Sequence, residues 1–352
     1  MKTIAYYISD YGYGHASRSI AIIRGLLEIN PTIHIIICTS FATSFLKQSL
    51  SSKSISFRTI NTDVGYYLNE KTIKPDTSKI SNEYKLFVQD WEKKSNREYD
   101  FLKQKQIDLV ISDISPLPFE AANQLNIPTV GISNFTWYTA YENIINEDQL
   151  QVFKKAYNKM EHFYLLAGNK EYRWNCQKNN YSFFARKVDL KEVNRIKGRV
   201  NPIQDKKIIY FGLGMKIDNV DINSLSLWDS EDCVFIVSSN MNIKKENVFN
   251  IPHDYTESQN YIAASDLVIS KAGWGTVSEA VVNQIPLLIL NRKELKEDQN
   301  TIKYIKENNF GEIIEWEKFI TYQYQPKKKN KSRIYVNEVD KIVEDLLTIC
   351  DC

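Results

Sequence analysis

Glycine is scarce in this chain: 12 in 352 residues, about half the usual share of a soluble protein. Histidine is scarcer, at four, and no HxxxH or HExxH spacing occurs, which argues against a histidine-based metal site. The five cysteines are odd in number, widely spread and without a CxxC pair. That fits a reducing cytosol better than a disulfide framework or a zinc site. Neither charge sign dominates: 45 basic against 43 acidic residues leave +2, so no global field for nucleic acid exists. No apolar run approaches the ~20 residues needed to span a bilayer. Met1–Ile8 is too short and too quickly polar for a signal peptide, so the reading is cytoplasmic.

What is present is ordinary globular material, 43% hydrophobic and 25% charged, which excludes a disordered chain. The length exceeds what one core usually supports, so two domains are expected. Short apolar runs alternate with amphipathic segments. Strands are read at Thr3–Ser9, Ile33–Cys38, Ile55–Ile60, Leu109–Ser112 and Thr129–Ile132. Helices are read at Ala16–Glu28, Phe41–Leu50, Glu83–Gln104 and around Phe119–Leu125. Glu147–Phe163 reads as a helix and Tyr181–Val188 as an edge strand. Asp189–Lys197 reads as a short helix. A turn-rich stretch at Gly198–Asp205 suggests the boundary between domains at 1–202 and 203–335. The alternation then restarts with strands at Lys207–Phe211, Cys233–Ser238, Val248–Ile251, Leu267–Ser270 and Pro286–Leu290. Helices are expected at Ser258–Ala264, Thr276–Asn283 and Asp298–Asn308. A terminal helix near Val336–Thr348 is expected to cross back to the first domain. The pattern is α/β with parallel βαβ units in both halves.

Six of the 12 glycines fall in three Gly-x-Gly tripeptides. The first, in Asp10-Tyr11-Gly12-Tyr13-Gly14-His15-Ala16-Ser17-Arg18, lies between the first strand and the first helix. Ligands of open α/β sheets sit at such places, and the next helix offers free amides and a positive dipole end. His15 is suited to proton transfer at neutral pH, and Arg18 to holding an anion. A plain tight turn explains the glycines equally simply. Ser17 stands where a dinucleotide fingerprint has its third glycine, and no Walker-type lysine follows. Gly212-Leu213-Gly214 repeats the arrangement after the strand that opens the second half. In the third, Lys271-Ala272-Gly273-Trp274-Gly275-Thr276 precedes Glu279. Helix amides and the Thr276 hydroxyl can bind a diphosphate, and a carboxylate at Glu279 can accept two hydrogen bonds from a ribose diol. Thr276 and Glu279 can equally close on each other as a capping box.

This third stretch, with Asn283-Gln284-Ile285-Pro286 after it, resembles the nucleotide-sugar signature of GT-B-fold glycosyltransferases. The resemblance implies two Rossmann-like domains facing each other across a cleft. It implies that Gly273, Gly275 and Thr276 hold the donor diphosphate and Glu279 the ribose. Lys271, Trp274, Gly212 and Gly214 are assigned to the same side. The loop at Ile251 is expected near the base, and Asp298 and Gln299 near the donor sugar. Trp274 departs from the pattern, where a smaller residue is usual. Tyr11–Arg18, Asp108–Pro116 and Ser133–Trp137 resemble the glycosyltransferase-like N-terminal part of L-arabinokinases and, more distantly, lipid-linked-sugar transferases such as monogalactosyldiacylglycerol synthases. On that side Gly14, Arg18, Asn134 and Trp137 are candidates for the acceptor, His15 and Asp113 for catalysis.

The expected activity is transfer of a sugar from a nucleotide-diphosphate donor, UDP-linked in the favoured reading, to a hydroxyl. The expected course is inverting, with no metal and no cofactor. The acceptor is left open among small molecule, glycan and lipid. The Lys327–Lys331 run is a solvated loop or a weak peripheral membrane contact. Two other classes stay open: a nucleotide-sugar hydrolase or 2-epimerase, and a non-catalytic nucleotide-sugar sensor.

Overall fold

A computed structural model describes residues 2–67, 75–171, 173–213, 222–238, 240–241, 243–291, 295–325 and 335–350. They form two units, the first running to Ser182 and resuming at Glu338, the second covering Phe183–Asn337. Gly214, the Lys327–Lys331 run and Cys352 lie outside the described residues.

The first unit is built on seven parallel strands: β1 (Thr3–Ile8), β2 (His34–Thr39), β3 (Ile55–Thr59), β4 (Leu109–Asp113), β5 (Thr129–Ser133), β6 (His162–Leu165) and β7 (Gln177–Asn180). Their order is β3-β2-β1-β4-β5-β6-β7. The central strands are apolar along their whole length because helices cover both faces, so no alternation is seen in Ile4–Ile8 or Leu109–Ile111. The helices are α1 (Tyr13–Ile29), α2 (Thr43–Ser49), α3 (Thr77–Gln89), α4 (Trp91–Gln104), α5 (Phe119–Gln124), α6 (Trp137–Tyr141) and α7 (Glu147–Tyr157).

The second unit has six parallel strands: β8 (Lys207–Gly212), β9 (Cys233–Val237), β10 (Val248–Asn250), β11 (Leu267–Lys271), β12 (Leu287–Asn291) and β13 (Gly311–Glu315), ordered β10-β9-β8-β11-β12-β13. Its helices are α8 (Leu190–Val200), α9 (Ser258–Ala263), α10 (Trp274–Val282), α11 (Lys296–Asn308) and α12 (Trp316–Phe319). Asp189 caps α8, accepting from the amides of Lys191 and Glu192. The last helix, α13 (Val339–Ile349), is part of the first unit. It buries Val339, Ile342, Val343, Leu346 and Leu347, a stripe at helical spacing. Val343 fits against Gly25 of α1, where a Cβ would lie 2.7 Å from its Cγ2.

Several boundaries differ from the sequence expectation. The single helix over Glu83–Gln104 is two, because the backbone leaves the helical region at Asp90 (φ −107°, ψ 32°). There Trp91 turns to donate its indole N–H to Glu120 Oε2 at 2.7 Å. The helix expected to reach Phe163 stops at Tyr157, and His162–Leu165 joins the sheet beside β5. The edge strand is Gln177–Asn180, not Tyr181–Val188. The units divide at Ser182–Phe183, upstream of the Gly198–Asp205 turn. The segment from Phe183 belongs with the second unit because Phe183 and Phe184 pack on Trp274 and α8 packs on α9.

Candidate active site

Both sheets reverse their strand order once. In the first the reversal falls between β1 and β4, in the second between β8 and β11. The crevice outside the carboxyl ends at such a switch point is where open α/β sheets take ligands. The three Gly-x-Gly tripeptides begin at these ends: Gly12 after β1, Gly212 at the end of β8, Gly273 after β11. Gly12 needs its glycine, because it holds φ +77° as the residue before α1. No side chain caps α1 and no acidic residue lies in its first turn, so the amides of Tyr13, Gly14 and His15 are not satisfied from within the helix's own start.

His15 stands in that first turn and Asp113 is the last residue of β4; 98 residues apart, they meet with Nδ1 2.7 Å from Oδ1. Arg18 grips the same carboxylate, Nε to Oδ2 at 2.6 Å and Nη2 to Oδ1 at 2.6 Å. Its Nη1 donates to Asn134 Oδ1 at 3.0 Å and Nη2 to Ser133 Oγ at 3.3 Å. Nη2 also lies 2.9 Å from His15 Nδ1. Two donors cannot bond each other, and the shorter contact with a carboxylate assigns the Nδ1 proton to Asp113. Nε2 is then the basic nitrogen. All five side chains are buried. Burial alone would raise the Asp113 carboxyl. The charges of Arg18 and His15, and the hydrogen bonds they donate, outweigh that and hold it below the usual carboxylate range. Asp113 is therefore held ionised between these donors.

Local backbone aims it. Ile114, a β-branched residue, sits at φ +64°, and the amide of Ser115 returns to the Asp113 carbonyl at 2.9 Å. This is a strained γ-turn, of the kind that persists where the surroundings over-determine it. The Tyr157 hydroxyl donates to the Ile114 carbonyl, and the Ser112 and Ser115 hydroxyls donate to the carbonyls of Ser115 and Thr62, both at 2.7 Å.

Two acceptor-side candidates are corrected. Arg18 is 4% exposed and the anion it holds is Asp113, so it does not offer a free guanidinium to a ligand. Trp137 is fully buried, stacked on Tyr141 at 5.3 Å and edge-on to Phe135, Tyr66 and Tyr11. It belongs to an aromatic core. Asn134 is 1% exposed, and its Nδ2 has no hydrogen-bond partner among the described residues. Gly14 is exposed in the first turn of α1.

Two carboxylates outside the sequence candidates frame this loop. Asp10 accepts from the amides of Ser40, Phe41 and Thr62 at 2.7–2.9 Å and from the hydroxyls of Thr39 and Ser40. Asp63, 2% exposed, accepts from the Asp10 amide at 3.1 Å and from Trp137 Nε1 at 2.8 Å. Burial pushes its carboxyl up to about 6, opposed by hydrogen bonds from Ser9 and Trp137. Nothing local in the sequence marks Asp63, because its partners lie 53 and 74 residues away.

In the second unit α10 begins at Trp274, two residues before the expected start, and no side chain caps it. The Thr276–Glu279 capping box does not form, and Gly273 at the cap position offers no side chain to the first amides of the helix. Gly273 lies before this turn and Lys271 ends β11, its stem crossing the face of Gly273, where a Cβ would be 3.2 Å from Cε. The Trp274 side chain is a correction: it is 3% exposed and packs on Phe183 and Phe184, so only its backbone can face a ligand. Ile251 is buried and donates its amide to Val237, so its side chain belongs to the core. Gly212 is covered by the Tyr210 ring, which a Cβ would meet at 2.7 Å. Asp298 is 1% exposed in the first turn of α11, and Gln299 donates to Asn291 Oδ1 at 2.9 Å.

Glu279 is held by a residue the sequence reading missed. Arg186 donates to Glu279 Oε1 from Nε at 3.0 Å and from Nη2 at 2.7 Å, with both side chains buried.

Two family models match: "Glycosyl transferase family 1" over residues 2–163 and "Glycosyltransferase family 28 C-terminal domain" over residues 238–325. An L-arabinokinase of Arabidopsis thaliana is 21% identical over 301 residues, covering 84% of this chain and 28% of that protein. The chain thus spans little more than a quarter of that relative. Among solved structures, Arabidopsis thaliana UGT89C1 superposes with a TM-score of 0.60 at 13% identity, covering 99% of this chain and 89% of the other. The same protein complexed with UDP gives 0.60 at 11% identity, covering 100% and 91%. The glycosyltransferase SnogD from Streptomyces nogalater gives 0.57 at 12% identity, covering 100% and 94%. These likenesses establish the fold, and the family models match part of each unit.

Proposed function

We propose that this chain, a glycosyltransferase of the GT-B fold, moves a sugar from a nucleoside-diphosphate donor to an acceptor hydroxyl with His15 as the base. The observation that carries the reading is the buried Arg18–Asp113–His15 chain at the switch point of the first sheet. It leaves one histidine nitrogen basic and backs it with a permanent charge. His15 Nε2 accepts the proton of the acceptor hydroxyl while that oxygen attacks the anomeric carbon in line. The bond to the diphosphate breaks, the configuration inverts, and the electron pair leaves on the diphosphate. Asp113 keeps the ring in the required tautomer and stabilises the imidazolium that forms.

The donor is assigned to the second unit. The uncapped start of α10, with Gly273, Gly275 and the Thr276 hydroxyl, meets the diphosphate and the charge that develops on it, in place of a metal ion. Glu279 takes the ribose, and Lys271, Asp298 and Gln299 surround the same end of the sheet. The UDP complex among the similar structures supports uracil as the base, and the quercetin complex of the same protein supports a small-molecule acceptor.

His15→Ala should lower transfer at least about 10²-fold while leaving the melting temperature and UDP binding near wild type. Initial rates with a UDP-sugar and a phenolic acceptor panel measure it. A folded variant with unchanged turnover would remove His15 from the mechanism. UDP-sugar consumption without acceptor at the rate seen with it would instead favour the hydrolase reading.

A further inference from the structure

Arg186 is buried as deeply as any charged side chain of the second unit, at 1% exposure, and the transfer chemistry above does not use it. It lies on the segment from Phe183 to Lys187 that precedes the Asp189 cap of α8. Each of its three nitrogens is bound. Nε and Nη2 take Glu279 Oε1, Nη2 also donates to Ser258 Oγ at 3.0 Å, and Nη1 donates to the Thr256 carbonyl at 2.7 Å. The segment is fixed in turn by both helices: on α9, Asn260 Oδ1 accepts from the Asp189 amide at 2.9 Å, and on α10 the Ser278 hydroxyl donates to the Phe184 carbonyl. One guanidinium therefore joins α10, the start of α9 and the loop after β10. Both of its bonds to Glu279 take the same oxygen, and no hydrogen bond among the described residues uses Oε2.

We infer that Arg186 is a positioning residue for the nucleotide: it fixes the Glu279 carboxylate by Oε1 so that Oε2 is presented to the ribose diol. A glutamate in the second turn of a helix otherwise samples several rotamers, and holding it in one spares that entropy on binding. The planar fork of arginine can brace one oxygen from two nitrogens while anchoring the neighbouring loop, which an ammonium cannot do. The inference rests on the donor assignment made above.

The test measures affinities of UDP and of 2′,3′-dideoxy-UDP by calorimetry on the full chain, for wild type, Arg186→Lys and Ser258→Ala. Wild type should prefer UDP by roughly tenfold or more, the range of a hydrogen bond to a charged group. In Arg186→Lys the preference should collapse toward unity, with dideoxy-UDP binding little changed. Ser258→Ala, which keeps the ion pair but loosens one anchor, should lose part of the preference, about two- to threefold. A purely structural arginine would weaken both nucleotides equally. Retention of the full ribose preference in Arg186→Lys overturns the inference. Should that variant not fold, an unaltered preference in Ser258→Ala overturns it. Absence of UDP binding by wild type overturns the donor assignment itself.

Discussion

Single side chains at this site do work that their neighbours in sequence do not announce. His15, Asp113 and Glu279 are legible from the chain alone, because each follows a strand and a turn where chemistry is expected. Asp63 and Arg186 are not, since every partner that gives them meaning is more than 50 residues away. The strain at Ile114 is invisible for the same reason: no glycine or asparagine marks that left-handed position. Two buried carboxylates near this site carry opposite shifts and contribute in opposite senses to the response to pH. Asp63, moved from 3.8 to about 6, binds more protons folded than unfolded, so its contribution falls as pH rises from about 4 to 6 and then levels. Asp113 is shifted downward, so its contribution is present above 3.8 and lost as acid titrates the folded carboxyl below it. Asp63→Asn should therefore remove about 3 kcal/mol of pH-dependent difference across that upper window, at about 1.4 kcal/mol per pH unit. Urea unfolding of both proteins from pH 4 to 7 measures it. A gap between them that stays constant with pH would assign the titration elsewhere.

At the level of elements, long buried strands and amphipathic helices follow from hydrophobic pattern, while short or interrupted ones do not. β6 is a short aromatic-rich run, His162–Leu165, soon after α7 ends at Tyr157, and periodicity cannot separate it from a helical continuation. The α3–α4 break turns on one residue, Asp90, and on Trp91 finding Glu120 across the fold. The join of α1 to α13 is similar: the apolar stripe of α13 is plain in the sequence, but the glycine that receives it is 318 positions earlier, at Gly25. Adding bulk there forces Val343 aside. Gly25→Val should destabilise the first unit by about 1–3 kcal/mol through overpacking, and Val343→Ala in the same chain should recover part of the loss. Denaturant midpoints of the two single variants and the double variant give the coupling directly. Strictly additive effects would mean that the two residues do not share that contact.

At the scale of the molecule, the α/β class and two-half organisation are legible because the alternation of strand and helix stops and restarts. The switch points explain why the glycines cluster: each tripeptide begins where neighbouring strands send their chains in opposite directions. Among the described residues no helix is long and apolar enough to cross a membrane. Donor binding should appear as whole-chain stabilisation, about 2.7 kcal/mol at UDP a hundredfold above its Kd. Thermal melts with and without UDP read it as a rise of several degrees, and no shift with UDP, GDP or dTDP would contradict the donor assignment. The placement of α13 has a further bearing on how the chain is made. The described residues of the second unit all fall between Phe183 and Asn337, whereas the first waits for Val339–Ile349 to cover Gly25. During synthesis at about 5–20 residues per second, the half that emerges first is thus the half finished last. Until Val339–Ile349 has been made, the α1 surface that carries Gly25 stays uncovered.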